Sequence, residues 1–355
     1  MYPTTSRRIR QLDFSGTGEQ LGVFHPSSPS NVTSIRLHIS PYDHREPPEH
    51  LALFLSSPFP GLSRLDLGNF LPDPSSPILT TSSLTSLKLA LPYGRENHYT
   101  LSQFSQILQH HPNLRELDLN RGAIPFPELS STSVPVTLTR LEILRLHGGE
   151  AAILGFIDLI GMSSPLHDVV IRFGHNPKLT LPGLTNTLRK ILTAYYGCQG
   201  LDYPRKVNHF TVSYNCEKGC LVYSARSHSA PVSNLKSNLR LQFAGKDVLG
   251  GNAMVEETFP LFPLNDVREF AAEGLAIHGG YRMIFQKMKD LSHLRLDNMD
   301  LLVALAALNS GSRGVSDMVT KTAFTHPLAH RYTTSRNRPK AGVVDPISPR
   351  YPPRL

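Results

Sequence analysis

The chain has 355 residues, 40% of them hydrophobic, and a formal net charge of +8 at pH 7. This length suffices for one folded body with a tail, and the hydrophobic content is typical of a water-soluble chain. The charge is concentrated in residues 310–355, which hold eight Lys/Arg and two Asp/Glu and leave 28 basic and 26 acidic residues elsewhere. The composition of the body therefore argues against a general nucleic-acid-binding surface.

No targeting or membrane segment is predicted. The Met1 end lacks the apolar core of a signal peptide, and the longest aliphatic run, Leu301 to Leu308, is too short to span a bilayer. We therefore expect an intracellular protein, in the cytoplasm or nucleus, without a membrane partner.

One six-residue motif, Leu-x-x-Leu-x-Leu, predicts most of the strands. Its last four residues alternate apolar and polar, as a strand with one buried face requires. Strict copies begin at Leu62, Leu84, Leu114, Leu141 and Leu291, and looser copies at Ile9, Val32, Leu166, Val207 and Val267.

The spacing of these copies predicts a repeat protein. Most steps between successive first positions are 22 to 30 residues, which is the length of a leucine-rich repeat. The step of 60 between Val207 and Val267 could hide one degenerate unit at Leu239, Leu241 and Phe243. The exact boundaries between residues 172 and 266 stay open.

The segments between the motifs are of two kinds. Helical spacing of apolar residues predicts helices within 101–108, 153–160, 184–195 and, more weakly, 283–288. Asp73–Ser83 and Ala123–Thr137 are Pro/Ser-rich, and we expect irregular loops there.

These elements predict an α/β fold for residues 1–309. The fold is a leucine-rich-repeat solenoid, a horseshoe of the ribonuclease-inhibitor type, with parallel strands on the concave face and helices or irregular loops outside. Residues 310–355 are rich in Ser, Thr, Pro and Arg, and we expect a disordered basic tail.

The texture of the repeats resembles a known family. The run HHPNLRELDL, with a helix before it and LTRLEILRLHGG after it, resembles the repeat region of fungal F-box/leucine-rich-repeat proteins. SRRIRQLDFSG, FPGLSRLDLGNF and FPLNDVREFAAEG share this texture, so the resemblance covers roughly residues 6–309. It implies a protein-interaction module like the substrate-recognition repeats of a cullin-type (SCF) ubiquitin ligase, with a protein client that the sequence does not name.

Two features depart from the family pattern. Only eight residues precede Ile9, and the Leu-Pro pairs at Leu71, Leu91 and Leu181 lack the glutamate of an F-box. We therefore expect the cullin-ligase adaptor as a partner only if an F-box is encoded upstream. The Asn or Cys expected three residues after the last leucine is also missing, which predicts no regular asparagine ladder; that place holds Phe70, Pro92, Gly122, Gly149 and Met299.

The polar positions of the motif are the candidate binding residues. They should face the concave surface, which solenoids commonly use for binding. Their mixed charge favours a protein partner over nucleic acid. The alternative interpretation is that they only solvate an exposed strand face. The candidates are Asp66, Lys88, Asp118, Arg145, Arg172, Arg295 and Asp297, with Glu273 as a further one.

Enzymatic chemistry is not predicted, and neither is a cofactor. His209, Cys216, Cys220 and His228 lack the close cysteine pair of familiar zinc sites, so separate reduced thiols are favoured over a metal site. For the neighbouring residues His110 and His111, helix-end capping is the preferred interpretation. Two alternatives to a ligase module stay open: a stand-alone repeat scaffold, and a truncated gene product without function.

Overall fold

A computed structural model describes part of the chain. Residues 310–355, the predicted tail, lie outside the described residues. The structure describes residues 9–21, 31–40, 49–80, 83–91, 99–125, 135–161, 166–174, 181–196, 207–215, 220–228, 236–244, 257–274 and 280–297.

Within these residues the fold is α/β, built on an open, mostly parallel sheet. The strands are β1 (Gln11–Gly16), β2 (Ser34–Ile39), β3 (Arg64–Gly68), β4 (Ser86–Ala90), β5 (Glu116–Asn120), β6 (Val136–Thr137), β7 (Ile143–Gly148), β8 (Ile160–Gly161), β9 (Asp168–Phe173), β10 (Val207–Asn215), β11 (Cys220–His228), β12 (Lys236–Ala244), β13 (Glu269–Glu273) and β14 (His293–Asp297). Twelve of them form one sheet in the order β1-β2-β3-β4-β5-β7-β9-β12-β11-β10-β13-β14, and β6 pairs with β8 separately. All ten motif copies and the degenerate unit at Leu239 therefore contribute strands, as predicted.

The helices are short apart from one. They are α1 (Gly18–Leu21), α2 (Glu49–Leu55), α3 (Pro77–Thr80), α4 (Leu101–Gln109), α5 (Glu150–Leu159), α6 (Leu181–Tyr196) and α7 (Gly280–Lys287). The four predicted helices are confirmed as α4 to α7. The expectation of a wholly irregular segment at Asp73–Ser83 was wrong, because Pro77 starts α3, where its fixed φ suits the first helical position.

The core lies on the helix side of the sheet. Motif leucines stack in register on neighbouring strands, so that Leu65, Leu87 and Leu117 are partners and are at most 1% exposed. On the helices, Phe104 and Phe156 pack edge to face at 5.5 Å in the same core. Each fully buried leucine contributes roughly 1.5–3 kcal/mol.

The core is thinner beneath β1, the first strand of the sheet. Ile9, the first position of its motif copy, is 43% exposed, and Leu12 and Phe14 are only partly buried. The reason is that β1 forms one edge of the sheet and has only one neighbour among the described strands.

A repeated backbone contact joins successive units ahead of the strands. The carbonyl oxygen of Ser63 accepts the backbone N–H groups of Thr85 and Ser86 at 2.7 and 3.0 Å, and the Thr85 hydroxyl donates to the same oxygen at 3.0 Å. Because the same two-donor arrangement recurs, successive units are joined in an equivalent way. Paired N–H donors also meet the carbonyls of Arg10, Thr33, Thr85, Arg115, Glu142 and Arg268.

The asparagine position differs from that of a regular ladder. Phe70, three residues after the last leucine of its motif, is buried. The neighbouring Asn69 has φ 73° and donates from its side chain to the Ile39 carbonyl at 2.7 Å. The turn after β3 is thus stabilised by an asparagine one residue earlier than the family pattern places it.

His111 caps a helix carbonyl, but the helix is not its own. It is fully buried; its Nε2–H donates to the Leu79 carbonyl at 2.7 Å, and its Nδ1 accepts the Leu84 backbone N–H at 3.4 Å. It therefore caps a carbonyl of α3 in the preceding unit, whereas His110 ends α4 through its own backbone N–H.

The largest departure from a simple repeat lies between β9 and β13. Strands β10, β11 and β12 form an antiparallel meander, in which β12 pairs parallel with β9 and β10 pairs parallel with β13. The strand after β9 in the chain is therefore not its neighbour in the sheet. Our expectation of consecutive parallel strands was wrong here, because β11 runs antiparallel.

An aromatic cluster supports the meander on its buried face. Phe173 and Phe243, partners on β9 and β12, stack at 4.6 Å. Phe210 and Tyr223 pack against Phe262 at 4.9 and 5.1 Å. These rings fill the core where β10 and β11 interrupt the leucine pattern.

The register of β12 can be tested with adjacent residues. Leu241→Asp places a carboxylate in the core, so it should lower the free energy of unfolding by at least about 3 kcal/mol. Arg240→Gln lies on the exposed side and should change it by less than about 0.5 kcal/mol. Urea unfolding measures both, and equal effects would contradict the register.

Candidate functional site

The side of the sheet opposite the core is called here the polar face. A rung is a row of polar-face side chains that strand pairing places side by side. Of the predicted residues, Asp66, Lys88, Asp118, Arg145 and Arg295 lie on one rung. Arg172 and Asp297 lie on the next rung, with the Asp297 side chain outside the described part of the structure.

The charges of the predicted rung alternate along the first strands. Asp13, Arg36 and Asp66 are successive partners, and Arg36 bonds both carboxylates at 3.1 Å. His38 adds a contact to Asp66 at 3.4 Å. These exposed ion pairs stabilise the sheet only slightly, since water and salt screen them.

A denser network surrounds Glu116, a residue that the sequence analysis did not select. Its carboxylate contacts Lys88 at 2.8 Å and Arg145 at 3.0 Å, and it accepts the Ser86 hydroxyl at 2.8 Å. Arg145 also binds Asp168 at 2.7 Å. Two of the predicted binding residues, Lys88 and Arg145, are therefore engaged within the sheet.

These contacts shift the pKa of Glu116 and of Arg145. Burial alone would raise the pKa of Glu116, but the bonds from Lys88 and Ser86 and the charge of Arg145 outweigh it and lower this pKa. Burial opposes the charge of Arg145 as well, but Asp168 and the other carboxylates hold its pKa above the ordinary value. Both shifts favour the charged form of the group concerned.

Asp118 has the opposite environment. Its nearest cation is Arg145 at 4.0 Å, and its side chain makes no hydrogen bond among the described residues. Burial raises its pKa, Arg145 and Lys88 compensate only in part, and Glu116 adds to the rise. Asp118 is therefore a carboxylate kept on the polar face at some cost in stability, which is typical of binding residues.

Arginines without such partners lie further along the polar face. Arg172 on β9, Arg240 on β12 and Arg226 on β11 are all exposed. None of their side chains makes an ion pair or a hydrogen bond within the described part of the chain. Sequence analysis selected Arg172 but missed the other two, which become its neighbours only through the meander.

The register places these arginines on a diagonal, called here the arginine stripe. Arg172 on β9 is the partner of Gln242 on β12, and Arg240 lies two residues before Gln242. Arg226 on β11 is the partner of Asn238, which lies two residues before Arg240 on β12. With strands about 4.8 Å apart and about 6.7 Å between every second residue, neighbouring arginine Cα atoms are about 8 Å apart. Val170 and Val222 lie beside the stripe and are half-buried.

The described residues offer no group that would hold a metal ion. They contain no cluster of three or more His, Cys, Asp or Glu side chains suited to one. His209 contacts Glu269 at 3.0 Å and Thr211 at 2.9 Å. Cys216 and the side chain of His228 lie outside the described part of the chain, so the predicted separation of the thiols stays a prediction. None of the helices described is long and apolar enough to cross a membrane.

Comparisons with known proteins do not identify a family for this chain. Searches of protein-family models, curated proteins and solved structures each found no match to this chain.

The two carboxylates of β5 should respond oppositely to substitution. The lowered pKa of Glu116 contributes stability that is present at neutral pH and is lost as the pH falls through that pKa. Glu116→Gln should therefore cost about 1–3 kcal/mol at pH 7, and less in acid.

For Asp118, the effect of ionisation on stability is the opposite. Its raised pKa means that ionisation costs stability as the pH rises through that pKa, and this cost is absent in acid. Asp118→Asn should therefore stabilise the chain by roughly 0.5–1 kcal/mol at pH 7, with the gain vanishing in acid. Urea unfolding across pH measures both variants; destabilisation by Asp118→Asn at pH 7 would contradict this environment.

Proposed function

We propose that the chain is a leucine-rich-repeat array that binds a protein client on its polar face. The repeated backbone contact ahead of the strands and the in-register leucines support the repeat assignment. The polar face would then be the concave face of the solenoid, the surface on which repeat proteins commonly bind partners.

The single observation that carries this proposal is Asp118. Its carboxylate is partly desolvated and makes no side-chain hydrogen bond among the described residues, whereas the neighbouring acids Asp66 and Glu116 are held by close ion pairs. Such a group can accept N–H or ammonium donors from a partner, which would satisfy it more fully than Arg145 does at 4.0 Å.

The surrounding network would keep this acceptor in place. Glu116 and Arg145 are held by several bonds each, so the side chains beside Asp118 have little freedom. A rigid surface loses little entropy on association, and this favours binding.

A role in a cullin-type ubiquitin ligase is the more specific proposal. It rests on the resemblance of the repeats to fungal F-box/leucine-rich-repeat proteins. In such a protein the repeats hold the client and the F-box docks the adaptor, so two separate segments do the two jobs.

Client binding can be tested with three variants. Asp118→Asn and Asp66→Asn change the polar face, while Arg189→Gln changes an exposed arginine on α6. Quantitative affinity purification from cells of the source species should show one set of partners reduced at least about tenfold by Asp118→Asn, equivalent to about 1.4 kcal/mol, and unchanged by Arg189→Gln. Partners retained equally by all variants would contradict a client site at Asp118.

The ligase link needs its own measurement. Purified chain should not bind the cullin-ligase adaptor directly, whereas a version extended by any upstream F-box should bind it. If the extended version binds clients but not the adaptor, the chain is a stand-alone scaffold. If the 355-residue chain itself binds the adaptor, the docking surface lies within the repeats and this division of labour is wrong.

A further inference from the structure

We propose that the arginine stripe, Arg172, Arg240 and Arg226, is a recognition site for a short acidic segment of the client. The proposal rests on the proposed function and specifies the chemistry of the partner. It starts from a contrast on the polar face: the charged groups around Glu116 form close ion pairs, whereas these three guanidinium groups are exposed and make no ion pair with any described residue.

The spacing of the stripe suits an extended peptide. Neighbouring arginine Cα atoms are about 8 Å apart, and side chains of an extended peptide face the same side about every 6.7 Å. Flexible arginine side chains can cover this difference. Each guanidinium offers a planar pair of donors that matches a carboxylate, so acidic residues at every second position could each bind one arginine.

Aliphatic side chains beside the stripe favour a peptide over nucleic acid. Val170 lies between Arg145 and Arg240 on one rung, and Val222 is level with Gln242 on the next. Both valines are half-buried on a face that is mostly polar. A client side chain such as leucine or valine could bury its apolar surface there, which a phosphate backbone would not do.

Carboxylates flank the stripe on both sides. Asp168 lies on the same strand as Arg172, and Glu269 and Glu273 lie on β13, two strands beyond Arg226. A long polyanion that contacts many cations at once would meet these acids on either side. The stripe therefore fits a short run of about three acidic residues, matching its three arginines.

The test uses a fluorescein-labelled decapeptide with three glutamates and one valine at alternate positions and serine between them. A matched peptide has glutamine in place of glutamate, and a single-stranded oligonucleotide of similar charge serves as the competing anion. Fluorescence anisotropy with the full chain should show salt-sensitive binding of the glutamate peptide and at least about tenfold weaker binding of the glutamine peptide.

Variants then locate the site. The triple variant Arg172→Gln, Arg226→Gln, Arg240→Gln should weaken glutamate-peptide binding by about tenfold or more, while Arg189→Gln should leave it unchanged. Val170→Ser should weaken it a few-fold in a way that salt does not alter, because that contact is apolar. Circular dichroism and urea unfolding confirm that the exposed substitutions leave the fold intact.

Three results would overturn the proposal. The first is equal binding of the glutamate and glutamine peptides, and the second is equal binding of the glutamate peptide by the triple variant and Arg189→Gln. The third is tighter binding of the oligonucleotide than of the glutamate peptide through the same arginines. The peptide assay needs no client, so it separates this proposal from the previous one. If Asp118→Asn loses client binding but the chain shows no preference for the glutamate peptide, only the stripe proposal is refuted. If the chain binds the glutamate peptide but no client depends on Asp118, only the earlier proposal is refuted.

Discussion

The register of strand pairing decides which side chains of the polar face are neighbours. Each strand presents every second residue to that face, so a shift by one residue would exchange the core for the surface. The stacked leucines prevent such a shift, because Leu65, Leu87 and Leu117 would lose their burial. Buried apolar contacts therefore determine the arrangement of the charges, although the charges themselves add little stability.

The same register gives the polar face two different regions. From β1 to β9 the partners on neighbouring strands are mostly of opposite sign, and the ion pairs around Arg36 and Glu116 neutralise them. Across β9, β12 and β11 the register brings together three arginines without acids between them. A partner would find a rigid, neutral surface with one desolvated acid, Asp118, next to an open cationic stripe.

Much of the fold could be predicted from local sequence pattern. Alternation in Leu-x-x-Leu-x-Leu and the helical spacing at 101–108 and 184–195 are local signals, and both led to the elements observed. The motif offsets also placed Asp66, Lys88 and Asp118 on one rung. The order of β10, β11 and β12 could not be predicted, because alternation identifies a strand but does not say which distant strand pairs with it.

The candidate site was harder to predict for the same reason. Arg226 and Arg240 lie more than fifty residues from Arg172 along the chain, and only the reversed order of the meander makes the three neighbours. The contrast between Glu116 and Asp118 depends on side-chain positions on both adjoining strands. The mixed charge at the matching motif positions was the signal in the sequence, and it did not show which of these residues pair with each other.

Disulfide trapping tests the strand order most directly. In a background with Cys198, Cys216 and Cys220 replaced by serine, Val170→Cys is combined with either Arg240→Cys or Thr211→Cys. Val170 and Arg240 are partners in the observed sheet, whereas Val170 and Thr211 would be partners if β10 followed β9 directly. The account predicts rapid oxidation of the first pair and none of the second, since a disulfide needs Cα atoms within about 7 Å. Trapping of the second pair in place of the first would contradict the meander and, with it, the arginine stripe.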